Sequence, residues 1–262
     1  MIYESINSNP DTIRVSTVHL DSYTATQLVD TSNSSGISKS YYNVQFQLNN
    51  IYKNVRRVKL LSLELPVGFC NVRPGLNEIK MLIYGVQYSV FVAEAVYTTI
   101  NDLISAVNTA LSTHASGYTF SVSLYNTEYL IITSNIGVAE QWNIIDTPFS
   151  NTLLGLYSTD THPSANTISS SSKWSLSADN YICLFINELG NNGSNSKITF
   201  KVPLPVLQNS VLFLTENIFY AQTVYCNINS LSTLTCRFYD RFGLDLSSYG
   251  FSWTASFEII SS

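Results

Sequence analysis

The residues of this chain that could do chemistry are three histidines, scattered carboxylates and many serines. His19, His114 and His162 lie in three separate polar segments, and none has another His, Cys or carboxylate at the spacing of a zinc site. The sequence has no G-x-S-x-G elbow for a serine nucleophile, and chance alone explains any Ser–His–Asp set drawn from distant positions. Phosphate loops of the G-x-x-x-x-G-K-[ST] or G-x-G-x-x-G type are also absent from the sequence. We therefore expect no catalytic, cofactor-binding or metal-binding residues, and no cofactor.

Two carboxylates that lie close together, Asp240 and Asp245, could in principle form an acid–base pair or bind Ca²⁺. They flank the short segment Arg241-Phe242-Gly243. An aspartate at this kind of position accepts hydrogen bonds from backbone N–H groups and favours a turn. We therefore expect the pair to stabilise a turn between two strands.

Three tryptophans could stack on sugar rings. Trp253 falls on the apolar side of an alternating segment, which predicts a place in the core. Trp142 and Trp174 lie near segments that are predicted to be loops. These two are the better candidates for a contact surface.

The charge distribution argues against nucleic-acid binding. The net charge is −5, and charged residues make up only 12% of the chain, about half the usual share. Residues 81–172 contain no Lys or Arg, whereas a nucleic-acid binder needs clustered cations to displace counterions from phosphates. The densest group of cations is expected to be a solvated or interface edge of a strand rather than a phosphate site, and it consists of Lys53, Arg56, Arg57 and Lys59.

The four cysteines are expected to be reduced. Cys70, Cys183, Cys226 and Cys236 form no C-x-x-C pair, and the first 27 residues do not read as a signal peptide. Without an oxidising compartment a thiol is the default state, although a Cys226–Cys236 disulfide stays open as an alternative. No apolar run approaches the roughly 18 residues of a membrane-spanning helix, so no membrane span is expected.

Period-two alternation dominates the sequence and predicts strands. Val44, Phe46 and Leu48 alternate with glutamines, and residues 58–69 place Leu61, Leu63 and Leu65 on one face. A further strand, 251–259, is predicted to turn Phe251, Trp253, Ala255, Phe257 and Ile259 inward. Other strands are predicted at 12–20, 79–84, 87–96, 118–124, 129–133, 180–188, 198–204, 218–227 and 232–240. This pattern predicts an all-β sandwich or barrel.

One helix is predicted, over residues 100–111. Apolar residues recur there at helical spacing, and Thr99 followed by Asp102 fits a capping box. We expect its apolar stripe to pack on a sheet of the same chain rather than in a membrane or a partner's groove.

Three stretches of the chain resemble one protein family. Residues 231–243 (LSTLTCRFYDRFG) and 251–258 (FSWTASFE) resemble the last two strands of single jelly-roll penton (minor capsid) proteins, with their D-x-x-G turn. Residues 46–66 (FQLNNIYKNVRRVKLLSLELP) are similar to that family's early strand, which ends in proline. The helix at 99–111, the hairpin after it and residues 153–156 (LLGL) are similar to an insertion found in many members. Such proteins occur in virophages, polinton-like viruses and large eukaryotic DNA viruses.

The resemblance implies an all-β jelly-roll β-sandwich with an inserted helix plus β-hairpin. Residues 1–40 would be an N-terminal arm and flexible loop, and residues 41–262 the jelly-roll domain, with an insertion around 97–172. The implied function is structural, with five copies forming the pentameric vertex (penton) of an icosahedral DNA virus capsid. The implied partners are the chain itself, as a homopentamer, and the major capsid protein of the same virus, without direct nucleic-acid binding. The implied location is the capsid vertex of the virion, assembled in the cytoplasm of the infected cell.

Two other functions are compatible with an all-β sandwich. A carbohydrate-binding domain, lectin-like or from a fibre head, shares the fold class and the abundant aromatic residues. A β-sandwich hydrolase would need a convergent acid–base pair, which the sequence does not supply, so we expect the chain not to be an enzyme. Fold alone does not choose among these functions.

Overall fold

The chain contains two compact units that are built mainly from strands. A computed structural model describes residues 13–28, 41–113, 117–137, 141–164, 166–177, 179–190, 199–204, 210–215, 223–246 and 251–262. The first unit contains the described residues up to Phe69 and from Asp179 onward, and the second unit lies within Cys70–Ala178.

Most of the predicted elements are present. The strands predicted at 218–227 and 232–240 are one strand from Thr223 to Tyr239 where the structure describes them, and the strand predicted at 87–96 ends at Phe91. The first unit contains β1 (Arg14–Asp21), β2 (Gln27–Leu28) and β3 (Asn43–Pro66). The second unit follows with β4 (Glu78–Ile83), β5 (Val86–Phe91), α1 (Ile100–Ser112), β6 (Phe120–Tyr125), β7 (Tyr129–Ser134), β8 (Trp142–Ile145), β9 (Thr161–Ser164) and β10 (Thr167–Ser169). The chain then returns to the first unit with β11 (Tyr181–Ile186), β12 (Phe200–Pro203), β13 (Val211–Thr215), β14 (Thr223–Tyr239) and β15 (Thr254–Ser261).

The long strand β3 organises the first unit because it pairs along both of its sides. Its first part pairs with β2 on one side and with the second half of β14 on the other. Its last part pairs with β15 on one side, and with the start of β14 and then β13 on the other. β1 extends the sheet beyond β15, so the predicted strand at 12–20 is confirmed.

The buried side of β3 changes phase along the strand. Val44, Phe46 and Leu48 are buried as predicted, and Leu63 and Leu65 are buried at the other end. The prediction for Leu61 was wrong, since Leu60 is buried and Leu61 is only half-buried. Residues 60 and 62 pair with two consecutive residues of β15, so Leu61 is the extra residue of a β-bulge.

The two ends of β3 face each other across a core. A straight strand of 24 residues would be about 80 Å long, yet the hydroxyl of Tyr42, just before the strand, donates to the carbonyl of Pro66 at 2.5 Å. Asn54 lies near the middle of the strand with a positive φ of 49°, and the β14 ladder shifts register on either side of its pairing with Val55 and Lys53. The strand therefore bends, and its two parts belong to two facing layers.

The strand order in these layers is that of a jelly roll. One layer has the order β1, β15, the last part of β3, and β13; the other has the first part of β3, β14, β11 and β12. If β3 is counted as two strands and the two-residue β2 is left out, the first strand pairs with the eighth, the second with the seventh, the third with the sixth and the fourth with the fifth. That nesting of antiparallel pairs is the jelly-roll topology.

Aromatic rings fill the space between the layers. Trp253 is fully buried and lies edge-to-face against Phe46, with ring centroids 5.7 Å apart, and against Phe238 at 5.2 Å. The ring of Tyr42 is 5.0 Å from that of Phe238. The inward positions of the last strand are confirmed except at Phe251, which is half-exposed and lies beside Gly68.

The second unit consists of two small sheets and a helix. Its sheets have the orders β6-β7-β10-β9 and β5-β4-β8. Helix α1 buries Leu103, Val107 and Leu111 within this unit, which confirms the predicted packing. Thr99 caps the helix by accepting from the N–H of Asp102 at 3.2 Å, and its hydroxyl donates to the Asp102 carboxylate at 2.7 Å. Strands β4 and β5 form one hairpin, which turns at Tyr84 and Gly85, and β6 and β7 form a second.

A buried asparagine joins the beginning and the end of the second unit. The side-chain amide of Asn71 donates to the carbonyl of Tyr97 at 2.9 Å and to that of Leu176 at 3.0 Å, and its oxygen accepts from the Tyr97 N–H at 2.9 Å. All of these groups would lack partners if Asn71 were removed, and burying unpaired polar groups is costly. The unit is therefore closed at the point where the chain enters and leaves it.

We predict that Tyr42→Phe lowers the free energy of unfolding by about 1–3 kcal/mol, because the Pro66 carbonyl would lose its buried donor. Urea denaturation followed by tryptophan fluorescence measures this change. Tyr23→Phe is the control, since Tyr23 is exposed and its loss of a hydroxyl is expected to change stability by less than about 0.5 kcal/mol. Equal stability of the two variants would show that the contact does not hold the layers together.

We predict that all four cysteines are reduced and protected in the folded protein. Each is a buried thiol outside any disulfide, and burial raises the pKa of Cys183 and Cys226. A thiol reagent should react slowly with the native protein at pH 8 and rapidly with four thiols per chain in guanidinium. Two reactive thiols in guanidinium would instead support a disulfide.

The same shifts in pKa give stability a pH dependence. Below the ordinary thiol pKa of about 8.5 both states keep their thiol protons. Above it the unfolded chain ionises first, because the folded state holds these protons to higher pH. The free energy of unfolding should therefore fall as the pH rises above about 8.5, and substitution of Cys183 and Cys226 by Ala should reduce that slope.

Candidate interaction surface

The first unit presents a broad outer face on the layer that contains β1, β15, the last part of β3, β13 and the start of β14. Residues that pair directly across neighbouring strands point to the same side of a sheet, so the register defines this face in four rows. From one end to the other the rows are Phe213–Glu64–Thr254–Asp21, Thr215–Ser62–Ser256–His19, Thr223–Lys59–Glu258–Thr17 and Tyr225–Arg57–Ile260–Val15. None of these sixteen side chains is buried.

The middle rows of the outer face are polar but almost neutral. Nδ1 of His19 lies 2.7 Å from the hydroxyl oxygen of Ser256. The guanidinium of Arg57 donates to the carboxylate of Glu258 at 2.9 Å, and Lys59 is the direct cross-strand neighbour of the same carboxylate. Arg57, in the adjoining end row, and Lys59 therefore share one carboxylate. With Asp21 and Glu64 at the opposite end, the sixteen residues of the face carry a net charge of only −1.

Exposed apolar side chains lie at both ends of the outer face. Phe213 is 61% exposed at one end, and Tyr225 and Val15 are more than half exposed at the other. Scattered apolar residues are normal on a surface, and aromatic residues are also enriched in protein–protein interfaces. Strand β13, which carries Phe213, was not predicted, although the apolar run Val211-Leu-Phe-Leu could have indicated it.

The predicted cation cluster belongs to this part of the molecule. The four cations all lie on β3. Arg57 and Lys59 pair with strands on both sides, whereas Lys53 pairs with β14 alone. Lys53 and Arg56 are exposed, whereas Arg57 and Lys59 are half-buried. With Arg57 held by Glu258, the cluster does not form a pocket of convergent cations.

Asp240 has the role that the sequence predicted. It is almost fully buried, and its carboxylate accepts from the N–H of Phe242 at 2.7 Å and from that of Leu244 at 2.9 Å. Gly243 completes the turn with a φ of 81°. Asp245 is exposed and pairs through its backbone with Tyr239. Asp240 therefore stabilises the turn through its carboxylate, whereas Asp245 takes part through its backbone.

The prediction for the tryptophans was wrong at Trp142, which is buried. Trp142 is only 2% exposed because it lies on the inner side of β8 and packs edge-to-face against Phe120, at 5.3 Å, so its assignment to a contact surface was wrong. Trp174 is half-buried and its indole N–H donates to the carbonyl of Thr127 at 3.2 Å. Trp253 is in the core, as predicted.

The two histidines that the structure describes belong to different units. His19 is on the outer face, His162 packs edge-to-face on Trp142 with ring centroids 5.3 Å apart, and His114 lies outside the described residues. Burial lowers the pKa of His162. Among the described ranges, no three His, Cys, Asp or Glu side chains are grouped in a way that could hold a metal ion. In the same part of the chain, no helix has the length and apolarity needed to cross a membrane.

Comparisons with known proteins find similarity in structure but not in sequence. No family model matches the sequence, and no curated protein matches it. The chain is similar to the crystal structure of the mavirus penton protein, with 12% sequence identity and a TM-score of 0.41 over 94% of this chain and 99% of that one. At this identity and TM-score the similarity assigns no function to the chain.

Proposed function

We propose that this chain is a structural capsid protein whose five copies form the vertices of an icosahedral DNA virus particle. The observation that carries the proposal is the jelly-roll strand order of the first unit, because it is the fold that the sequence resemblance to penton proteins implies. Jelly rolls occur in capsid proteins and lectins, and the resemblance of residues 46–66 and 231–258 favours the capsid role.

The outer face supports an assembly role on physical grounds. Packing a charged surface against a neighbour is costly when it leaves ions unpaired, and here Arg57 is already paired with Glu258. Exposed aromatic rings such as Phe213 and Tyr225 supply contact area with little loss of side-chain freedom. We propose that this face meets the next copy in a ring, in a head-to-tail contact that closes with cyclic symmetry.

The domain organisation is part of the same proposal. Residues 1–40 are the proposed N-terminal arm, although β1 within it pairs with β15, and residues 41–262 are the proposed jelly-roll domain. The second unit includes the stretch around 97–172 that the sequence analysis assigned to an insertion, together with β4 and β5. It follows the third strand of the jelly roll and precedes the fourth, as an insertion would.

The proposed partners follow from the position at a vertex. They are four further copies of this chain and the major capsid protein of the same virus, with the virion as the final location and the cytoplasm of the infected cell as the place of assembly. Direct contact with DNA is not part of the proposal, because residues 81–172 carry six carboxylates and no Lys or Arg.

We predict a pentamer in concentrated solution. Light scattering across a concentration series should give a mass that rises from 29.2 kDa toward five times that value. A chain that remains a monomer or becomes a dimer over the whole series would contradict a self-assembling ring.

The variant Phe213→Asp tests whether the outer face is the contact between neighbouring copies in the pentamer. It is expected to raise the concentration needed for half-assembly at least tenfold, equivalent to about 1.4 kcal/mol per contact, because it places an unpaired charge in the interface. Phe91→Asp is the matched control, since Phe91 is 62% exposed, against 61% for Phe213, and lies in the second unit. Equal effects of the two substitutions would exclude the outer face as the contact.

A further inference from the structure

The outer side of the other layer of the first unit carries a half-buried arginine. Arg237 on β14 pairs directly across the strands with Asn43 on β3 and Phe185 on β11, and we call these three residues the arginine row. The Nε atom of Arg237 is buried and has no acceptor among the described residues, and the side-chain oxygen of Asn43 is buried without a donor in the same part of the chain. Burying polar groups without partners is costly, so the row is incomplete in a single copy.

The carboxylate on that side of the layer is directed elsewhere. Glu188 accepts from the N–H and from the hydroxyl of Thr235, both at 2.7 Å, and it forms no ion pair with Arg237. Arg57, on the outer face, shows the contrast, because it donates to Glu258 at 2.9 Å. The guanidinium of Arg237 is therefore available to a carboxylate from another chain.

A carboxylate of matching character lies in the first row of the outer face. Glu64 stands there between Phe213 and Thr254. It is exposed, and no described residue holds it by a hydrogen bond or an ion pair. Asp21, in the same row, already accepts from the N–H of Tyr23 at 2.9 Å. Glu64 is therefore the carboxylate of that row that a neighbour can bind.

The two rows lie at the same level of the sandwich, on opposite sides of its aromatic core. Trp253 and Phe238 pack edge-to-face in that core with ring centroids 5.2 Å apart. Phe238 follows Arg237 in the chain, and Trp253 precedes Thr254, the direct cross-strand neighbour of Glu64. One pair of core rings therefore lies behind both the arginine row and the row of Glu64.

We propose that Arg237 binds Glu64 of the next copy, so that the arginine row receives the outer face in the ring. This inference rests on the proposed pentamer, and it names the second of the two surfaces that a head-to-tail contact requires. Rotation about a ring axis keeps each atom at its height, so in a ring whose strands run along the axis only rows at the same level meet. The pair is a charge-assisted contact, and Phe185 and Phe213 flank it with apolar surface that excludes water.

The first test is sedimentation velocity on the full chain across a concentration series. Arg237→Gln removes the charge and is expected to raise the concentration needed for half-assembly by about tenfold or more. Urea unfolding of the dilute monomer should show no loss of stability, because the guanidinium has no partner in a single copy. Arg56→Gln is the matched control, since Arg56 is an exposed arginine of the same unit outside both rows, and it should change neither quantity.

An exchange of charges identifies the partner residue. Arg237→Glu and Glu64→Arg should each weaken assembly, and the chain that carries both should recover to within about threefold of the wild type, because the two effects are coupled through one contact. Glu64→Arg combined with Arg56→Glu should not recover.

The outcomes separate this contact from the ring itself. A wild-type pentamer whose assembly is unchanged by Arg237→Gln, or a folded double variant that does not recover, would overturn the contact and leave the pentamer standing. A wild-type chain that stays monomeric over the whole series would remove the pentamer and the contact together.

Discussion

The closure of β3 on itself is the constraint on which the first unit depends. Its two ends approach because their apolar sides must bury Phe46, Phe238 and Trp253 together, and burial of rings of this size is among the largest favourable contributions to a core. The Tyr42 hydroxyl then satisfies the Pro66 carbonyl inside that core. A strand with regular alternation from end to end could not do this, so the bend near Asn54 and the bulge at Leu61 are requirements of the fold.

The same constraint determines what the outside of the sheet looks like. Because side chains on one side of each strand pack in the core, the other side carries the Ser, Thr and paired ions of the outer face. Strands of this kind leave broad surfaces with little net charge, which suits contact with neighbouring copies. The chain enters and leaves the second unit at one place, because Asn71 bonds to both Tyr97 and Leu176. A unit that is closed in this way can be inserted into a loop without disturbing the strands around it.

Local sequence predicted where the helix and strands lie better than it predicted which side chains of a strand face the core. Helix α1 was predictable because its cap and its apolar stripe are contained within 13 residues. The strand at Val44, Phe46 and Leu48 and the turn at Asp240 were predictable for the same reason, because each pattern lies within a few residues. Leu61 was placed on the wrong side because a bulge depends on the register of β15, nearly two hundred residues away. Trp142 was misassigned because nearby loop residues say little about which side of β8 faces the core.

The sequence by itself determined an all-β chain with one amphipathic helix, reduced thiols and a surface poor in charge, since each of these follows from composition or from spacing within a few residues. Only the tertiary structure decided that one long strand serves both layers, that Phe213, Tyr225 and Val15 share a face, and that Arg237 lies at the level of Glu64. These facts depend on strand pairing between segments far apart in the chain, and the free energy of such pairing comes from burial that no local pattern records.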